Sequence, residues 1–265
     1  MNRNAAEEVV VFVHSTGTGP FLWASVPDGV SGGRRKVLPA NLGYPPKPLI
    51  ARGTRVTVDD DAAEVLRAVP VDATRVHLVA HSYGALVALR TVAELEARLA
   101  SMFLFEPVVF GSLRNANDVE PDASAEVRSF LDNPGFLHDE ESGGRAEWLE
   151  NFVDYWNYPG AWSKMPAAMR EMSLAIGWKM FQEVRSCFLV DSSFEQWRIP
   201  APTTIALGDR TTPSSRAMSR GLARGRANVT LVELPGVGHM APLTHATHVH
   251  EELARHFARL EGGWR

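Results

Sequence analysis

Ser82 stands where a short apolar run ends and a helical pattern begins. Val76-His77-Leu78-Val79-Ala80 reads as a buried strand, and Ala85-Leu86-Val87-Ala88-Leu89 opens a helix. A serine at such a turn has its hydroxyl raised on strained backbone at a helix N-terminus, where the dipole favours negative charge. Strand and helix backbones approach closely there, so the flanking residues must be small. Gly84 meets that need, and Ala80 meets it with one added methyl. A serine hydroxyl is a poor nucleophile until an imidazole takes its proton, and the imidazole needs a carboxylate to fix its tautomer and stabilise its charged form. His239, at the tip of Pro235-Gly236-Val237-Gly238-His239, is the candidate base. His14, His77, His81, His245, His248, His250 and His256 read as structural or solvated. Two carboxylates compete for the third place. Glu106 ends the apolar run Met102-Phe103-Leu104-Phe105, 24 residues after Ser82 (106 − 82 = 24), where a charge without a partner is costly. Asp209 follows Gly208, four residues before Pro213 (213 − 209 = 4). Glu106 is preferred and Asp209 is the alternative. The loop His14-Ser15-Thr16-Gly17-Thr18-Gly19-Pro20 can aim backbone N–H groups into a cleft, as one half of an oxyanion hole does.

These residues need a frame. Glu8 to Val13 reads as a buried strand leading into the His14 loop, and Phe21 to Val26 as a helix that packs Trp23 under it. Lys36 to Pro39 reads as a short strand. Thr57 to Val69 reads as a helix with Thr57 as N-cap and Asp59 to Asp61 in its first turn, serving the macrodipole rather than a metal. Ser101 to Val109, Thr203 to Leu207 and Val229 to Leu234 complete the strands, with a helix starting at Pro213 and another over about Thr244 to Leu260. Alternating strands and helices imply an α/β fold with a doubly wound, mostly parallel sheet, whose strand C-terminal ends carry the site.

Between Val109 and Thr203 no strand is expected, and helical spacing recurs at Glu147 to Tyr155 and Pro166 to Val184. This stretch holds Trp148, Trp156, Trp162 and Trp178 together with Met165, Met169, Met172 and Met180. It reads as a cap over a cleft, most of its rings forming its own core and the rest lining an apolar pocket. The division expected is a core of residues 1–110 and 198–265 with a cap of 111–197. Trp23, Trp156 and Met240 are the candidate pocket residues.

Composition narrows the function classes. The 265 residues are 45% hydrophobic and 22% charged, as in a globular protein with a sizeable core. A formal charge of −4 gives no footprint for nucleic acid or an anionic membrane. Met1 to Glu8 has no apolar core for a leader, and no apolar run is long enough to span a bilayer. Cys187, the single cysteine, excludes an internal disulfide framework and fits a reducing, cytoplasmic setting; its neighbours make it a half-buried spacer. Oligomeric state leaves no mark in the sequence.

Val13-His14-Ser15-Thr16-Gly17 with Trp23, Ala80-His81-Ser82-Tyr83-Gly84, Gly208-Asp209 with Pro213, and Gly236-Val237-Gly238-His239 together resemble the α/β-hydrolase family along almost the whole chain. The resemblance implies Ser82 as nucleophile, His239 as general base, and the backbone N–H groups of Tyr83 and Thr16 as the oxyanion hole. Departures are Ser15 where members usually carry Gly, Ala80 for the first Gly of the nucleophile motif, no room for a first strand hairpin, and a Gly208-Asp209 loop shorter than usual. Ser82 argues against the branches with an Asp nucleophile. The activity implied is acyl transfer to water from an ester, lactone or thioester with an apolar or aromatic group, on a small-molecule substrate and without metal or cofactor. The alternatives are carbon–carbon bond hydrolysis and a non-hydrolytic member, such as a ligand receptor, cyclase or lyase.

Overall fold

A computed structural model describes residues 7–264. Met1–Ala6, most of the stretch expected to lack a leader, and Arg265 lie outside the described residues. Six strands, β1 (Glu8–Val13), β2 (Arg35–Val37), β3 (Arg75–His81), β4 (Leu99–Phe105), β5 (Thr203–Gly208) and β6 (Val229–Leu234), pair all-parallel in the order β2-β1-β3-β4-β5-β6. Around them lie α1 (Phe21–Ala24), α2 (Val58–Ala68) and α3 (Tyr83–Leu95). Between β4 and β5 come α4 (Phe110–Arg114), α5 (Pro121–Leu131), α6 (Pro134–Leu137), α7 (Ala146–Trp156), α8 (Ala161–Lys164) and α9 (Ala167–Leu189). The chain ends with α10 (Pro213–Ala223), α11 (Ala241–Thr244) and α12 (Ala246–Glu261).

The four inner strands, β1, β3, β4 and β5, are buried on both faces, as their unbroken apolar runs require. Val9, Val11, Val13, Leu78, Ala80 and Leu104 face one layer, which continues without a break into the buried residues of the inserted helices, such as Phe110 and Phe188. Val10, Phe12, Val79, Phe103 and Phe105 face the layer of α1 and α12. Strand order reverses between β1 and β3, the crevice where parallel sheets hold ligands. Register pairs Val13 with Ala80 and His81 with Phe105, so the loops after β1, β3 and β4 emerge side by side.

Three local expectations change. The strand expected to run to Val109 ends at Phe105, because Glu106 turns to φ 44° and Pro107 has no N–H to continue the ladder. The last helix, expected over about Thr244 to Leu260, runs over Ala246–Glu261 as α12, and a separate short turn of helix, α11, precedes it. The aspartates of α2 do three separate jobs. Asp60 completes a capping box with Thr57, Asp59 pairs with Arg90 on α3 at 2.6 Å, and Asp61 is fully buried.

Buried histidines tie this frame to pH. His77 on β3 and His256 on α12 meet across the Ser101 hydroxyl, at 2.7 and 2.9 Å. Burial pushes His256 down to about 3 and His77 and His14 down to about 4, and holds His81 well below the ordinary imidazole range. These rings stay neutral in the folded protein, whereas in the unfolded chain they charge below about 6.5. Protons therefore bind the unfolded state more strongly between about 6.5 and 4, and each ring removes up to about 1.4 kcal/mol of stability per pH unit lost. Glu183, raised by burial against the pull of Lys179, acts in the opposite direction but is one group against four. The urea midpoint is expected to fall as pH is lowered from 7 to 5; an unchanged midpoint would contradict the neutral buried state of these rings.

Candidate active site

Ser82 forms the turn between β3 and α3 at φ 55° and ψ −124°. Among the described residues, Ser82 and Glu106 are the two non-glycine residues with positive φ. That conformation costs on the order of 1–3 kcal/mol and persists only where the surroundings enforce it. Here the Ser82 N–H donates to the Phe105 carbonyl at 3.1 Å, and the Val108 N–H donates to the Ser82 carbonyl at 3.3 Å. The close approach that demands a small residue is also visible: a Cβ on Gly84 would sit 2.4 Å from the His14 carbonyl oxygen.

His239, on the loop between β6 and α11, accepts the Ser82 hydroxyl at its Nε2 at 3.0 Å. Its Nδ1 donates to Glu106 Oε2 at 2.7 Å, which fixes the tautomer with Nε2 free to accept. The imidazole is held from two further sides. Trp156 of α7 stacks on it with ring centroids 3.8 Å apart, and buried His81 donates from Nε2 to the His239 carbonyl at 2.8 Å.

Glu106 is completely buried. Besides His239, its Oε2 accepts the hydroxyls of Thr211 at 2.6 Å and Ser215 at 2.8 Å, and its Oε1 accepts the Gly208 N–H at 2.8 Å. Burial by itself would raise this carboxyl; the bonds from His239, Thr211 and Gly208 outweigh it and hold the group below the usual carboxylate range. Asp209, the alternative acid, is exposed and its Oδ1 accepts the Gly236 N–H at 2.7 Å, away from the imidazole. The short loop after Gly208 supplies donors to Glu106 instead of a carboxylate of its own. Thr211 and Ser215 escaped the sequence reading; the carboxylate's need for donors was the available signal, but hydroxyls in a loop and a first helical turn carry no distinguishing pattern.

Thr16 and Tyr83 both face the cavity at Ser82. Tyr83 is the first residue of α3, so its N–H has no partner within the helix. The Ser15 to Thr18 turn is closed by Thr18 N–H and hydroxyl bonds to the Ser15 carbonyl at 3.3 and 2.8 Å, and the Ser15 hydroxyl bonds that of Thr18 at 3.1 Å. The extra hydroxyl at position 15 is thus absorbed within the loop.

Beneath this loop lies a buried network that sequence reading missed. Lys179 of α9 donates to Asp61 of α2 and to Glu183, each at 2.6 Å. Asp61 also accepts the Tyr83 hydroxyl at 2.6 Å and the Leu42 N–H at 2.9 Å. Glu183 accepts the Tyr44 hydroxyl at 2.7 Å, and that hydroxyl accepts the Gly17 N–H at 2.9 Å. Every charge has several partners, the condition under which buried ions are tolerated. The network joins α9 to Tyr83, one candidate oxyanion donor, and to Gly17, the residue after the other.

The alpha/beta hydrolase family profile matches residues 10–255. The chain belongs to the alpha/beta hydrolase family. Solved structures similar to this hydrolase include a thermophilic esterase from Thermogutta terrifontis, 17% identical, with 96% of this chain and 90% of that one covered at a TM-score of 0.66. An enol-lactonase from Burkholderia xenovorans is 15% identical over 97% and 94% at 0.65. A 2-hydroxy-6-oxo-6-phenylhexa-2,4-dienoate hydrolase from Rhodococcus is 18% identical over 95% and 91% at 0.62. None of the curated proteins compared matches the sequence.

Two cavities meet at Ser82 in the hydrolase, sharing Thr16, Ser82, Phe152 and Trp156. One, of about 380 Å³, is lined by Met165, Met169, Met172, Met180 and Met240, with His239 on its wall. The other, of about 20 Å³, is walled by Phe110, Phe130, Phe136, Tyr155 and Phe188, with the Cys187 thiol that burial raises well above its ordinary range. Cys187 is therefore a buried wall residue, not the half-buried spacer expected. Trp156 and Met240 line the larger cavity. Trp23 does not: it is fully buried, donates from Nε1 to the Val13 carbonyl at 3.1 Å, and packs on Phe12 in the α12 layer. Trp148 and Trp178 likewise serve packing, each donating its indole N–H to a backbone carbonyl. The larger chamber is thus a methionine chamber more than an aromatic one. Among the described residues no group of three or more His, Cys, Asp or Glu could hold a metal ion, and no helix is long and apolar enough to cross a membrane.

Proposed function

We propose that the protein is a serine hydrolase that transfers an acyl group from an uncharged, largely apolar ester or thioester to water. The observation that carries this reading is the continuous relay from the Ser82 hydroxyl through His239 to buried Glu106, at 3.0 and 2.7 Å, on the floor of an apolar cavity. Ser82 Oγ attacks the acyl carbon while Nε2 of His239 takes its proton. The Thr16 and Tyr83 N–H groups receive the oxyanion, and His239 returns the proton to the leaving group. Water then repeats the sequence on the acyl-enzyme. The reading requires no metal or cofactor, and its partner is the small-molecule substrate.

Carbon–carbon hydrolysis is the second reading, favoured by the similarity to the Rhodococcus dienoate hydrolase. A dienoate is an anion. Among the described residues neither chamber's wall includes Lys or Arg, which supports an uncharged substrate instead. A non-hydrolytic role finds little support where base, acid and hydroxyl are all kept in bonding contact. The test is product identification from a panel of neutral esters, thioesters, lactones and vinylogous diketone acids. Release of acid and alcohol or thiol from the neutral members is expected; turnover confined to the diketone acids would replace this reading by the second.

A further inference from the structure

The two chambers differ in size and in what they share with the imidazole, and this decides which half of the substrate goes where. An ester carbonyl bonded to Ser82, with its oxygen toward the N–H groups of Thr16 and Tyr83, has two substituents left, and two chambers open from that point. The leaving oxygen must receive its proton from Nε2 of His239, so it has to lie on the imidazole side. His239 lines the methionine chamber and not the ring chamber. The alcohol therefore leaves through the methionine chamber, and the acyl carbon chain lies among the rings.

Volume then sets the limits. The ring chamber, at about 20 Å³, is little larger than the space one water needs. Its walls cannot retreat without breaking packed pairs: Phe110 stacks on Phe188 at 4.1 Å and Phe130 on Phe136 at 4.8 Å. The methionine chamber has about 380 Å³ and flexible thioethers that adapt to irregular shapes. It opens to solvent past Phe21, Met172 and Leu243, apolar residues left about half exposed at its rim.

Resting on the serine hydrolase reading, we propose that the substrate is an ester or thioester of a very short acid, acetyl or close to it, with a bulky apolar alcohol or thiol. Ser82 Oγ forms a bond to the acetyl carbon as the bond to the alcohol oxygen breaks. The serine proton passes through His239 to that alkoxide, and water then releases acetate and restores the Ser82 proton. A lactone, whose acyl and alkoxy halves are tethered in one ring, fits the divided site poorly.

The experiment compares kcat/KM of the wild-type protein on 2-naphthyl acetate, butyrate and octanoate, and on ethyl against octyl acetate. Because one methylene in a tight apolar pocket is worth about tenfold or more, butyrate is expected at least about tenfold below acetate and octanoate lower still. Octyl acetate should exceed ethyl acetate. Phe130→Ala, at a half-buried ring, and Phe188→Leu, which keeps most of the packing, should raise butyrate relative to acetate while leaving the octyl-to-ethyl ratio unchanged. Octanoate hydrolysed as fast as acetate, or a Phe130→Ala variant that alters alcohol preference instead, would overturn the assignment. Labelling of Ser82 by a fluorophosphonate separates the two failures. Labelled protein with a long-acyl preference sinks the assignment alone, and unlabelled protein that hydrolyses no ester sinks the hydrolase reading with it.

Discussion

Ser82→Ala is expected to lower kcat for 2-naphthyl acetate by roughly 10⁴- to 10⁶-fold, the range found when a relay loses its nucleophile. In free energy this is about 5–8 kcal/mol of the barrier. The magnitude follows from the arrangement. Alanine leaves the imidazole, Glu106 and the two N–H donors in place but removes the atom that bonds the acyl carbon. Binding in the apolar chambers does not depend on that hydroxyl, so KM should change far less than kcat. Folding should survive, although a methyl-bearing residue still occupies the position at φ 55°. Steady-state hydrolysis beside a urea melt checks both points. A variant that keeps more than about a tenth of wild-type kcat would remove Ser82 from the mechanism.

Glu106→Gln is expected to cost about 10²- to 10⁴-fold in kcat, while Asp209→Asn stays within about threefold of wild type. The asymmetry comes from the donors around each carboxylate. Glu106 receives four of them, from His239, Thr211, Ser215 and the Gly208 N–H. A glutamine must set its NH₂ against some of these. Placed toward Gly208, it opposes a backbone donor that cannot turn away, and the charge that steadies the imidazolium is gone. Placed toward His239, it forces the tautomer with Nε2 protonated, which cannot accept the Ser82 proton. An asparagine in place of Asp209 keeps a carbonyl oxygen that can accept the Gly236 N–H, as the carboxylate does at 2.7 Å, out in solvent. Kinetics of the two variants on one ester decide it. A silent Glu106→Gln with a crippled Asp209→Asn would return the acid to the conventional place.

The parts of this site that sequence reveals are those whose constraint is local. Ser82 and Gly84 declare themselves because strand, turn and helix follow one another within ten residues, and only small residues fit the crossing. Glu106 is legible as a charge closing an apolar strand, an arrangement that is expensive without partners. Thr211 and Ser215 are not legible, since a hydroxyl's partner is chosen by tertiary contact. Asp61 misleads for the opposite reason. Its place in a first helical turn supplies a sufficient local explanation, while Lys179, which it binds, lies 118 residues onward. Trp23 shows the limit for pockets: an indole close in sequence to the His14 loop can face the cleft or the core, and here its N–H is spent on Val13 in the core. The α/β order and the parallel sheet come from strand composition and alternation, which survive errors of a few residues at strand ends such as Val109.

The proposed hydrolysis requires Ser82 Oγ to be a nucleophile, and peptide mapping after treatment with an ethyl fluorophosphonate reads that atom directly. The expected result is a single phosphonyl adduct on the peptide containing Ser82, absent from Ser82→Ala and greatly slowed in His239→Ala. An adduct on another serine, or none on a folded wild-type protein, would contradict it.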